Sequence, residues 1–513
     1  MNEFWGVDAD PTGQGRIQGA RPVAVLDIGS NSVRLVVYER HARALTPLYN
    51  EKSACALGRG LAASGRIADA NIERALTAMQ RFALVARLMR VGQVYVLATS
   101  AVRDAQNSQS FVSAIEQVMG ADVHVLSGEA EAHFAALGVL AGMPNFSGVV
   151  GDQGGGSLEL SALAKGHDAV GETHELGVIR LQDDSGGSPA KAAALARSRL
   201  KSSRVLKGNK ARTFCAIGGT WRSFAKLLQV SSNYTLHMVQ HYTVAAGDAE
   251  KLCAEILAAA GAGKPYPGSD QISASRRDLI PYAAAVLGEV LRAGNFEQLS
   301  FSALGVREGY LYHLLDPAEQ AIDPLRQAAE EMNLLRARSP KHAEDLIGFS
   351  RQLLETIGQG ETAEQRRLRE VACLLADIGW RGHPDYRGEQ SVDLVAYGSM
   401  VGVDHPGRAF LSQVLAVRYM GLKHKSASPD LLALAGEAGT QRARLLGVTM
   451  RVAYPMSAAM PGVLPRTRFE LSGGTLMLLL PADLAFLDGE HLRGRLSQLA
   501  STAGFKDSTV SFL

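Results

Sequence analysis

The sequence predicts an α/β protein: two similar α/β halves facing each other across a cleft, then an all-helical domain and a small α+β piece. Three observations carry this. Apolar, β-branched runs alternate with helical periodicity from Pro22 to about Leu315, as in sheets covered by helices. The segment Asp27-Ile-Gly-Ser-Asn-Ser-Val-Arg-Leu returns as Asp152-Gln-Gly-Gly-Gly-Ser-Leu-Glu-Leu. Asp27 aligns with Asp152, Gly29 with Gly154, Ser32 with Ser157 and Leu35 with Leu160, at a constant offset of 125 positions. After Asp316 the strand pattern stops and amphipathic helical periodicity takes over.

Taken in order, residues 1–20 are polar and Gly-rich, with no apolar leader core, and are expected to form a flexible tail. VAVLDIG and VRLVVYE read as two strands around a tight turn. A long helix (Asn71 to Met89), the strand VYVLAT, another helix and the short strand VHVLSG complete a first half over 21–145. The second copy of the hairpin opens a second half, 146–315. Residues 316–460 hold helices such as AEDLIGFSRQLLETI and REVACLLADIGW. The last piece, 461–513, contains a hairpin around Gly473-Gly474 and a final helix near 490–500.

Composition narrows the function. Across 513 residues, Lys+Arg is 53 against Asp+Glu 51, a net charge of only +2, so nothing calls for nucleic acid. A polyanionic substrate would have to be met by a local patch of cations. The four cysteines are far apart with no C-x-x-C pair, which excludes a disulfide framework and a zinc cluster and leaves reduced core thiols. No run of about 18 apolar residues occurs, so no membrane span is expected and the protein reads as cytoplasmic. Gly261-Ala-Gly-Lys264 is not a Walker loop, because Pro265 fills the Ser/Thr position.

The repeated hairpins carry the chemistry. Gly29 and Gly154, Gly155 and Gly156 remove Cβ atoms where backbone must turn tightly against a ligand. Backbone N–H groups in such turns form a concave donor array for phosphate, helped by Ser30, Asn31, Ser32 and Ser157. Asp27 and Asp152 stand in strands, which normally avoid Asp. Two carboxylates in one cleft suit Mg²⁺, which takes one or two carboxylates, phosphate oxygens and waters.

DIGSNSVRL and DQGGGSLEL resemble the two phosphate motifs of the actin, sugar-kinase and heat-shock ATPase superfamily. The SNS form of the first is similar to exopolyphosphatases and guanosine pentaphosphate phosphatases. ATSAVRDAQN (98–107), VLSGEAEA (125–132), ELGVIRL (175–181), AIGGTWRSFAKL (216–227) and ALGVREGYL (303–311) follow in the order of that family. The resemblance implies two actin-like, ribonuclease H-like halves and Mg²⁺-dependent hydrolysis of phosphoanhydrides: inorganic polyphosphate, guanosine pentaphosphate, or both. It implies an acidic residue in the S-G-x-E-E-A segment that deprotonates water. The first Glu of the usual pair is Ala130 here, so the base falls to Glu131. It also points to Arg103 and Arg34 as phosphate contacts, Glu159 as an acid near the water, and Gly218-Gly219 as the nucleoside-proximal turn, followed unusually by Trp221.

The helical domain resembles an HD metal-phosphohydrolase fold with His342 in place but Ala376 where the His of the His-Asp pair belongs, leaving Asp377 alone. It is therefore expected to be non-catalytic, a platform for long substrates or for dimerisation, with a homodimer expected. Arg366, Arg367, Arg369, Arg381, Arg387, Lys423 and Lys425 are its candidate contacts to a long polyanion. Two other classes compete: a kinase-type phosphotransferase of the same superfamily, and an actin-like scaffold that would not need Glu131.

Overall fold

The computed structural model describes residues 16–164, 167–168, 171–423 and 429–513. Most of the expected tail, residues 1–15, lies outside them, as does Lys425. The chain divides into two compact units, Met1–Ile322 and Asp323–Leu513.

In the first unit, β1 (Val23–Ile28), β2 (Ser32–Tyr38), β3 (Pro47–Ala54), β4 (Gln93–Ala98) and β5 (Val123–Val125) form a sheet ordered β3-β2-β1-β4-β5. Both faces are covered, which is why the strands read as continuous apolar runs rather than alternating ones. Leu26, Ile28, Leu35 and Val37 pack with Ala75, Met79 and Phe82 of the helix Asp69–Leu88. Val25, Val36 and Leu97 face the other way, in a cluster with Leu311.

The second sheet comprises β6 (Gly148–Gln153), β7 (Leu158–Ala164), β8 (His167–Asp168), β9 (Glu172–His174), β10 (Thr213–Ile217), β11 (Tyr242–Ala245) and β12 (Gln298–Phe301). Its order is β11-β12-β10-β6-β7-β8, with β9 also on β7. The repeat is visible in the register. Asp27 pairs with Arg34 across β1/β2, and Asp152 with Glu159 across β6/β7. Each Asp is the fifth residue of a six-residue strand, just before the turn.

The second unit is helical around Pro324–Arg336, His342–Thr356, Ala363–Leu375, His405–Met420 and Gly436–Ser457. The hairpin around Gly473-Gly474 is present as β13 (Arg468–Ser472) and β14 (Thr475–Leu480), and a strand beyond the sequence reading, β15 (Asp507–Phe512), runs parallel to β14. Phe469, Leu476, Leu478, Leu480 and Leu496 join the same buried cluster as Leu325, Leu375 and Leu415, so the terminal strands and the helices share one core. His342 Nε2 lies 2.9 Å from Ser457 Oγ. The Asp377 carboxylate is taken up by Arg338, whose Nη2 and Nε donate at 2.5 and 2.9 Å.

Two of the expected polyanion contacts are corrected here. Arg367 is clamped to Asp323 at 2.6 and 2.7 Å, and Arg369 is buried against Glu361 at 3.0 Å, so both serve the fold. A helical periodicity cannot distinguish such a paired arginine from a solvated one. Arg366, Arg381 and Lys423 are exposed. No helix among the described residues is long and apolar enough to cross a membrane. All four cysteines are buried and free.

Candidate active site

The two turns meet at the floor of a cleft of about 200 Å³ between the halves. Each turn is closed the same way: Gly29 N donates to Ser32 O at 3.1 Å, and Gly154 N to Ser157 O at 3.0 Å. Asp27, Ser30, Asn31, Ser32, Asp152, Gly154, Gly155 and Ser157 all line the cleft. So do Gly218 and Gly219, at the end of β10. Gly218 has φ +105°, and a Cβ there would lie 2.4 Å from Gln153 O, so only glycine fits this approach to β6.

The glycines of the second turn do different jobs. A Cβ on Gly154 would meet nothing nearer than Ser157 O at 3.7 Å, leaving its cleft side open to a ligand. A Cβ on Gly155 would come 3.0 Å from Ser30 Cβ, and one on Gly156 would come 2.7 Å from Ser100 Oγ. Ser30 and Ser100 are themselves bonded at 3.0 Å. Gly156 does not line the main cleft; it lets the second turn pack against the first half.

Glu131 sits in the first turn of the helix Gly128–Gly142, whose N-cap Ser127 Oγ accepts from Ala130 N at 3.2 Å. Two positions apart on a helix point different ways: Glu131 is buried and lines the cleft, whereas Glu129 is exposed. Arg103 does not line the cleft. Its Nη1 donates to Glu131 Oε2 at 2.6 Å and to Leu126 O at 3.0 Å, so it grips the acid where a phosphate contact was expected. Glu159, opposite Asp152 on β7, is buried in the cleft wall, and its Oε1 has no hydrogen-bond partner. Arg34 lines the cleft, with Nε on Asn50 Oδ1 at 2.8 Å.

Four further cations line the cleft: Lys52, Arg222, Arg276 and Arg307. Arg222 and Arg307 stand inside two motifs already singled out, AIGGTWRSFAKL and ALGVREGYL; Lys52 and Arg276 have no local sequence signal. Arg307 Nη1 donates to Asp27 Oδ2 at 2.8 Å, and Glu308 beside it accepts from Tyr38 Oη at 2.6 Å. Trp221 turns away from the cleft. It is fully buried, edge-on to Phe214 at 5.7 Å, with Nε1 donating to Ala283 O at 3.1 Å.

The profile of the Ppx/GppA phosphatase family matches residues 36–318, more than half of the chain. The chain belongs to this family. A second profile, the exopolyphosphatase C-terminal region, matches residues 325–510. The guanosine-5'-triphosphate,3'-diphosphate pyrophosphatase of Aeromonas hydrophila is 23% identical over 482 residues, 92% of this chain and 94% of that protein. Exopolyphosphatase 1 of Mycobacterium tuberculosis is 28% identical over 308 residues, 57% of this chain and 88% of that protein. A solved exopolyphosphatase structure from Cytophaga hutchinsonii shares the fold, with a TM-score of 0.51 at 24% identity over 58% of this chain and 98% of its own.

The charges of this Ppx/GppA cleft act on one another. Burial, reinforced by the Asp27 charge and opposed by Arg222, pushes Asp152 up to about 6. Burial also raises Glu131, against the pull of Arg103. Glu159 is raised well above the carboxylate range by burial and then by Glu131, despite a hydrogen bond from Ser157. Acids held this close favour a cation among them. Among the described residues no three acidic ligands cluster. Mg²⁺, however, takes only one or two carboxylates beside phosphate oxygens and waters, and the hard oxygen donors of Asp27 and Asp152 in one cleft suit that demand.

Proposed function

We propose that the protein is a Mg²⁺-dependent phosphoanhydride hydrolase that releases the terminal phosphate of inorganic polyphosphate or guanosine pentaphosphate. The observation that carries this is the pairing, in one cleft, of four carboxylates (Asp27, Glu131, Asp152, Glu159) with a set of cations. Asp27 and Asp152 would hold the ion, directly or through water. Mg²⁺ supplies charge neutralisation of the phosphoryl oxygens. The N–H groups and hydroxyls of the two turns hold the terminal phosphoryl group. Glu131 orients water and takes its proton, and Arg103 keeps that carboxylate in place. Catalysis is then mostly positioning and electrostatics, since a phosphoanhydride leaves as a stable anion without a general acid.

The matched relatives bear hydrolase names, which supports water over the acceptor of a kinase-type transferase. The reaction is proposed to be cytoplasmic and the enzyme a homodimer, the latter open to sedimentation analysis. The test of the function is phosphate release from tripolyphosphate, long-chain polyphosphate and guanosine pentaphosphate, without any acceptor, as Mg²⁺ is titrated. Release that depends on Mg²⁺ is expected. Its absence with all three substrates, or release only on adding an acceptor, would refute the proposal.

A further inference from the structure

We infer that Lys52, Arg34, Arg222 and Arg276 form a leaving-chain subsite that makes an unbroken inorganic phosphate chain, rather than a guanosine phosphate, the preferred substrate. This rests on the hydrolysis proposed above and decides between its two substrate classes.

The four come from both halves. Arg34 is on β2 and Lys52 on β3, paired with each other across the sheet, whereas Arg222 is in the first turn of the helix Gly219–Ser231 and Arg276 lies on Ala274–Arg277. Among the described residues none of them has a carboxylate partner at ion-pair distance, unlike Arg307 on Asp27. Their bonds go to neutral acceptors: Arg34 to Asn50 Oδ1, Arg222 Nη1 to Ala303 O at 3.1 Å, and Arg276 Nη1 to Ser223 Oγ at 2.8 Å. Loss of solvent, then the charges of Arg276, Arg34 and Arg222, bring Lys52 down to about 8. These four cations share the cleft with carboxylates but none of them is tied up in an ion pair, so together they offer a local attraction for a polyanion. That field is the local patch which the near-zero net charge requires.

A phosphate chain carries negative charge along its whole length and can answer every one of these cations. In guanosine pentaphosphate the chain ends two phosphates past the terminal one, and a ribose and purine follow. A purine is most often stacked on an aromatic face, or on a guanidinium not engaged by phosphate. No aromatic side chain is among the described residues lining the cleft; its apolar walls are Val178, Ile179, Ile217, Leu279 and Val306. Trp221, the aromatic nearest in sequence to the nucleoside-proximal turn, is committed to the core.

The experiment uses the full-length enzyme with saturating Mg²⁺ and measures kcat and KM for tripolyphosphate, a long polyphosphate and guanosine pentaphosphate. We expect kcat/KM to rise with chain length and to exceed that for guanosine pentaphosphate by about tenfold or more for the long chain. Lys52→Gln and Arg276→Gln should each raise KM for the long chain by about 10-fold and lower the salt dependence of binding, with a smaller effect on guanosine pentaphosphate. Lys52→Arg, which keeps the charge, should restore the preference. Guanosine pentaphosphate cleaved as well as the long chain, or variants that weaken both substrates equally, would overturn the inference while leaving the hydrolysis intact. No release from any substrate would overturn both.

Discussion

Arg103 Nη1 donates to Glu131 Oε2 at 2.6 Å, so the proposed base rests as the acidic partner of a salt bridge. Arg103 also reaches Asp104 at 3.3 Å, and Asp104 meets Arg180 of the second half at 3.3 Å. The base is thus tied through alternating charges to both sides of the cleft. This arrangement explains how a buried carboxylate stays usable: the guanidinium offsets part of the desolvation that raises it.

Replacing that guanidinium has a definite sign. The Arg103 charge favours ionised Glu131, so Arg103→Gln should raise the acid's pKa further. Because the base must be ionised to act, the acidic limb of the kcat/KM profile should move to higher pH, by about one pH unit. An unmoved limb with reduced activity would mean Arg103 acts only on substrate.

Glu131→Gln should lower kcat by roughly 10²–10⁴ with substrate binding largely retained. Equilibrium binding of a non-turned-over chain, measured beside the rate, checks both halves of the statement. Should the variant keep more than about a tenth of the rate, Glu159 becomes the better base.

Asp27→Asn and Asp152→Asn should each raise the Mg²⁺ concentration needed for half-maximal rate, since both carboxylates are proposed to face one ion. They should differ in stability. Asp27→Asn removes one of the two carboxylates on Arg307, leaving Glu308 at 3.6 Å, and with Asp27 27% exposed the cost is about 1 kcal/mol, visible as a lower Tm. Asp152→Asn removes a carboxylate already disfavoured by burial, and its Tm should hold or rise.

Gly154→Ala and Gly156→Ala separate ligand approach from packing. The first meets no protein atom closer than 3.7 Å, so the fold should survive and any loss should appear in KM. The second collides with Ser100 Oγ at 2.7 Å, so it should lower Tm and kcat together. Equal melting temperatures in the two variants would contradict this division.

Arg369→Gln tests whether the helical unit's arginines bind polymer. Arg369 is 3% exposed and paired with Glu361 at 3.0 Å, so its loss should cost roughly 3 kcal/mol of stability. Arg366→Gln, at an exposed position, should leave Tm alone and weaken salt-sensitive retention of long chains. The reverse pattern would assign the polymer contact to Arg369.

The hairpin frames were readable from Asp27 and Asp152 because a period of 125 residues is local text repeated. The exposure difference between Glu129 and Glu131 followed from helical geometry alone. Lys52 and Arg276 were not readable: each owes its place to a sheet register or a loop return, and neither leaves a mark on its neighbours. Gly156 looked like its two companions, because sequence records that a Cβ is absent but not what occupies the space. Arg367 looked solvated because its partner Asp323 lies 44 positions away, and Arg369 because its partner Glu361, eight positions back, precedes the helix and so falls outside helical spacing. β15 escaped because Ser508, Thr509 and Ser511 dilute its apolar alternation.

Positions 34 and 159 occupy the same place in the two hairpins, yet one is arginine and the other glutamate. A duplicated scaffold is symmetrical, and a symmetrical cleft would treat both directions of a chain alike. One residue of opposite sign in each copy breaks that equivalence and gives the cleft a head and a tail. A linear anion would settle with its body toward the arginine side and its tip toward the acids, where water is activated. Removal of units from the end of a chain, instead of cuts within it, would then be a consequence of broken pseudo-symmetry.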